Sequence, residues 1–115
     1  MIFDNAKMFE SVNVLSQLEE KGMLGYAISR NRRKLIPEVQ EYSQKRDELL
    51  KKHGVDIGEG RFQLPPENAA RFFDELRPFS ELTVDVDVMQ VSLADFCGGN
   101  LTTSQMEVLD WMVKE

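Results

Sequence analysis

The chain has one cysteine, one histidine and one tryptophan among 115 residues, and each scarcity removes a class of explanation. A lone Cys97 closes no internal disulfide, and a lone His53 leaves too few ligands for a zinc site or a histidine-based catalytic set. No apolar run approaches the ~18 residues that a bilayer crossing requires, and Met1 to Glu10 has neither a basic nor an apolar leader region. The expectation is a soluble cytoplasmic protein. Positive charge is in deficit: 14 basic side chains against 20 acidic ones leave a formal charge of -6, which disfavours a polyanion as partner unless the bases are gathered in one place. What is present suits a folded unit, with 42% hydrophobic and 30% charged residues in a length sufficient for one core and too short for two. Residues 1–115 are therefore read as a single domain.

From Asn5 to Lys21, Met8, Val12, Leu15 and Leu18 recur at helical spacing, and Gly22 supplies a stop. A second stripe runs from Met23 to His53 through Leu24, Ala27, Ile28, Leu35, Val39, Tyr42 and Leu49. Lys51, Lys52 and His53 suit the negative end of that helix's dipole, and Gly54 ends it. Two helices joined by a short turn make an antiparallel hairpin. Pro37 lies inside the second, where it costs about 3 kcal/mol, and is expected to kink the helix rather than divide it, because Ile36 could not cap a new one. An unbroken helix over this span is about 46 Å long, against ~35 Å for the diameter of a compact chain of this size. Either Pro37 folds it back or one end projects, carrying Tyr42, Leu49 and Leu50 toward a partner.

Val55 to Gly60 is expected as a loop, Arg61 to Leu64 as a short strand, and Ala69, Phe72, Phe73 and Leu76 as a third helix opened near Pro66 and closed by Pro78. Leu82, Val84, Val86 and Val88 alternate with Thr83, Asp85, Asp87 and Met89 as a half-buried strand. Its partner is Arg61 to Leu64, the N-terminal tip or Val91 to Phe96. After a turn at Cys97 to Asn100, Thr102 and Gln105 form a capping box, with Leu101 stapling onto Met106, for a last helix running to Glu115.

Charge is unevenly spread. Residues 21–53 hold nine basic and four acidic side chains, a local +5, while residues 1–20 sum to -3 and residues 54–115 to -8. Such a helix pairs with its own body, with another subunit or with a polyanion. Arg30, Arg32, Arg33 and Lys34, with Arg46 and Lys51 further along, are the residues a nucleic-acid reading would use. Consecutive helical residues, however, fan out by about 100° each, so the run presents no single basic face, and no helix-turn-helix, RNP or zinc-finger pattern accompanies it.

Convergent chemistry is thin. Asp85 and Asp87 share one side of a strand and could hold a divalent cation, but alternating valine and aspartate also describes a half-exposed strand protected from edge pairing. Cys97 with Asp95 and His53 is the minimum set for a thiol nucleophile, but a helix-end histidine and a small buried apolar cysteine are the favoured account. Gly58, Glu59 and Gly60 lack the lysine and third glycine of a phosphate cradle. No catalytic, metal or cofactor residue is assigned.

The succession YAISRNRRKLIPEVQEYSQKRDELLKKHG, GEGRFQL, FFDEL, ELTVDVDVM and LTTSQMEVLDWMV resembles a family of short uncharacterised proteins encoded by tailed phages and prophages of Gram-positive bacteria. The resemblance implies origin more than activity: an accessory, assembly or host-directed factor. The expected architecture is α+β and mostly helical, an antiparallel helical hairpin with a long kinked second helix, a small antiparallel β element and a C-terminal helix. The expected function is non-enzymatic protein interaction, by self-association or with a host or phage protein, through Arg30, Arg32, Arg33, Lys34, Tyr42, Arg46 and Leu49. The alternative is a nucleic-acid-binding accessory using residues 21–53.

Overall fold

The computed structural model describes residues 1–114 and shows an α+β, mostly helical chain. Its elements are β1 (Ile2–Asp4), α1 (Asn5–Leu15), α2 (Gly22–His53), β2 (Val55–Gly58), β3 (Arg61–Gln63), α3 (Pro66–Ser80), β4 (Thr83–Asp85), α4 (Leu93–Cys97), α5 (Thr103–Val108) and a 3-10 turn (Asp110–Met112). Glu115, the expected end of the last helix, lies outside the described residues.

Helix α1 begins where Asp4 accepts a hydrogen bond from the Lys7 amide at 2.7 Å, but it ends at Leu15 rather than Lys21. Tighter turns carry Leu18 into the core, and the carboxylate of Glu20 accepts from the Asn100 amide at 2.8 Å. Gly22, with φ of +67°, opens α2 instead of closing α1. Gly25 is the tighter requirement, since the Glu20 carbonyl occupies the space its Cβ would need.

Helix α2 runs unbroken through Pro37 for 32 residues, about 48 Å. Pro37 is exposed, so the Arg33 carbonyl that loses its partner sits on the wet side of the helix. The expectation that the helix must fold back or project is corrected: the molecule measures 45 × 28 × 21 Å, and its longest dimension is the helix itself. The rest of the chain spreads along the rod in two clusters. The larger packs Leu24, Ala27, Ile28, Leu35 and Val39 against α1, Phe3, Val86, Val91, Phe96 and the C-terminal Leu109, Trp111 and Met112. The smaller packs Tyr42 and Leu49 against Phe72 and Leu76 of α3.

Two antiparallel two-stranded sheets flank this frame. The 82–89 strand finds the N-terminal tip, with Phe3 opposite Val84, but only Thr83–Asp85 is paired. The alternation still predicts exposure further on, since Val86 is buried while Asp85 and Asp87 are exposed; Leu82 is the exception, exposed beside the sheet. Val55 to Gly60 is not a loop throughout: β2 pairs with β3 around Gly58, Glu59 and Gly60, all with positive φ. Pro78 does not close α3, which continues to Ser80. Val91 to Phe96 is no strand; Ser92 caps α4 by accepting from the Asp95 amide.

The capping box of Thr102 and Gln105 is present, but α5 stops at Val108. In a continued α-helix, Leu109 and Trp111 would lie about 200° apart. The tighter 3-10 turn buries both, together with Met112.

Candidate interaction surface on the long helix

The residues that α2 turns inward leave a complementary outer stripe. Met23, Tyr26, Arg30, Arg33, Pro37, Glu41, Gln44, Glu48 and Lys51 are all exposed, and at about 100° per residue they fall within roughly 40° of one line. Lys34 borders it. Among the described residues, Arg30, Arg33, Lys34 and Glu41 take part in no ion pair, and Glu48 has only an exposed i,i+3 contact to Lys45 at 3.8 Å.

The other expected contact residues face elsewhere. Arg32 is half-buried and turns to a cleft of about 490 Å³ that it shares with Glu19 and Glu20, so the basic run does fan around the helix. Tyr42 and Leu49 are not partner contacts at a projecting end; α3 covers both, and the Tyr42 hydroxyl lies 3.0 Å from Ser80 Oγ. Arg46 is half-buried with its guanidinium 5.0 Å from the centre of the Phe9 ring and 5.9 Å from that of Phe72, an internal cation–π arrangement. Of the seven residues assigned to partner binding, the outer surface therefore keeps Arg30, Arg33 and Lys34.

At the C-terminal end of α2, Glu75 accepts from His53 Nε2 at 3.0 Å and from Lys52 Nζ at 3.1 Å. These hydrogen bonds, His53's first, hold its carboxyl below the usual glutamate value of 4.5. His53 is accounted for by this contact and by the helix end. Cys97 is the last residue of α4, two residues before Gly99, which packs on Leu24 at the opposite end of α2, about 40 Å away along the helix axis, so the two never meet. Asp85 accepts from the N-terminal ammonium at 2.9 Å, and among the described residues no group of three or more potential metal ligands gathers. No helix among them is long and apolar enough to cross a membrane.

Two buried polar residues, one on the rod and one on α1, escaped the sequence reading. Asn31 is fully buried; its amide donates to the Met89 carbonyl at 2.9 Å and its carbonyl accepts from the Met89 amide at 2.7 Å. Ser11, also buried, accepts from Trp111 Nε1 at 3.1 Å. The available signal was a polar residue at an inward position, Asn31 falling between Ile28 and Leu35 on the apolar stripe.

Compared with protein-family models, curated proteins and solved structures, the chain matches none, and the phage-family resemblance gains no support from them.

Proposed function

We propose that the chain is a non-enzymatic protein-interaction protein that works as a homo-oligomer, with the outer face of α2 as its contact surface. One observation carries this reading: a helix spanning the molecule's full 45 Å length leaves one whole face bare, with charges of both signs unneutralised. The pattern-level resemblance supports a phage or prophage accessory, assembly or host-directed role, and a single unbridged cysteine suits the cytoplasm, the host's if phage-encoded. Light scattering of the full chain tests the reading. Mass should rise with concentration and fall again in high salt; a strict monomer at high micromolar protein and low salt overturns it.

Nucleic-acid binding is the second reading, favoured by the exposure of Arg30, Arg33 and Lys34. Glu38 and Glu41 interrupt that patch one turn on, and the chain's net -6 repels a duplex at distance. No mobility shift is expected at about 50 mM salt, where phosphate contacts are strongest.

A further inference from the structure

The outer stripe of α2 is symmetric about its own midpoint. From Pro37 the exposed positions lie four, seven, eleven and fourteen residues away in both directions: Arg33 and Glu41, Arg30 and Gln44, Tyr26 and Glu48, Met23 and Lys51. Charge reverses sign across that midpoint at the innermost pair, Arg33 and Glu41, while the three outer pairs each set one charged residue against a neutral one. The N-terminal half carries Arg30 and Arg33, and the C-terminal half carries Glu41 and Glu48 before the closing Lys51.

The geometry points to the partner for this face: a second copy of the chain, with the two α2 helices antiparallel and a two-fold axis passing at Pro37. This rests on the self-association proposed above and specifies its surface. In such a pair Arg33 of each copy faces Glu41 of the other, so one contact occurs twice, as an isologous interface requires. Tyr26 can donate its hydroxyl to Glu48 in the same register. A parallel pair would set Arg33 against Arg33 and Glu41 against Glu41, so charge selects the antiparallel one. The helix dipoles then also oppose each other favourably. Steps of three and four residues keep the stripe on one seam along the whole helix, and the short Pro37 side chain lets the rods approach at their crossing.

Size sets the expected strength. A strip about 42 Å long and about 10 Å wide amounts to roughly 400 Å² per copy, half the ~800 Å² of a standard interface, so the pair is weak and salt-sensitive.

Sedimentation velocity on the full chain at about 50 and 500 mM salt tests the register. Arg33→Glu and Glu41→Arg should each weaken dimerisation about tenfold, because each creates two like-charge contacts, and the double variant should restore it. Both substitutions are on the exposed face. In a Cys97→Ser background, Pro37→Cys should cross-link to itself with a thiol reagent of about 10 Å reach, while Gln44→Cys alone should not. Failure of the double variant to restore dimerisation, or absence of the Pro37→Cys cross-link in a chain that still dimerises, overturns the antiparallel register and leaves self-association standing. A wild-type monomer at every concentration and low salt overturns both. Duplex binding by a monomer, abolished by Arg33→Glu, would assign the face to nucleic acid and likewise overturn the pair.

Discussion

The two halves of α2 are held by different physics. Its N-terminal half sits in a cluster of sixteen buried residues, closed by the Asn31 clamp and the bond from Trp111 to Ser11, whereas its C-terminal half has four. That second half relies on polar and charged contacts at its margin: Tyr42 to Ser80, Lys52 and His53 to Glu75, and Lys45 and Arg46 over Phe79 and Phe9. Apolar burial is short-ranged and not subject to charge screening, while exposed pairs are screened by salt. One continuous helix therefore joins a robust end to a conditional one.

The largest test of that contrast removes one aromatic from each half. Trp111→Ala and Phe72→Ala should each destabilise by about 3–5 kcal/mol, but with different reach. Loss of Trp111 also leaves Ser11 Oγ buried without its donor, and should melt the chain as a whole. Phe72→Ala should strip amide hydrogen-exchange protection from residues 42–80 while residues 24–35 stay protected. Equal loss in both segments would show that the clusters are one cooperative unit. Next is Asn31→Ala, which leaves both polar groups of Met89 without partners; denaturant titration should read about 2–3 kcal/mol. Thr102→Ala removes the side-chain acceptor of the α5 cap, and the midpoint should fall by the equivalent of about 1 kcal/mol.

The smallest effect is on the conditional end and depends on pH. Folding depresses the Glu75 carboxyl below 4.5, so its contribution is present above that value and disappears as pH falls through the folded value. Exchange protection near residues 49–53 and 72–76 should decline below pH 4.5 in the wild type more than in Glu75→Gln. Identical acid profiles would show that the contact is idle.

Periodicity carried most of the helical architecture because a stripe of apolar side chains must be buried whatever covers it. The span of α2, the inward positions of Leu35 and Leu49, and the capping box at Thr102 were all legible for that reason. Boundaries set by remote contacts were not. Helix α1 stops at Leu15 and Glu20 meets the Asn100 amide 80 residues away, a contact with no local trace. The Ser92 and Asp95 pair that opens α4 was a local signal, overshadowed by the apolar alternation running up to Val91. For the candidate surface, composition located the charge but could not tell which side chains the body would cover.

By itself, the amino-acid order determined that there would be a long amphipathic rod with a cationic first half, since spacing and charge belong to the chain before it folds. Only tertiary packing decided that the rod would be a spine instead of a projection. Two separate clusters seat along its length, which withdraws Tyr42, Arg46 and Leu49 from solvent and leaves the stripe through Arg30, Arg33 and Glu41 bare. The physical reason is that a helix fixes the angle between its own faces, whereas the face that remains uncovered depends on where distant segments find enough apolar surface to bury.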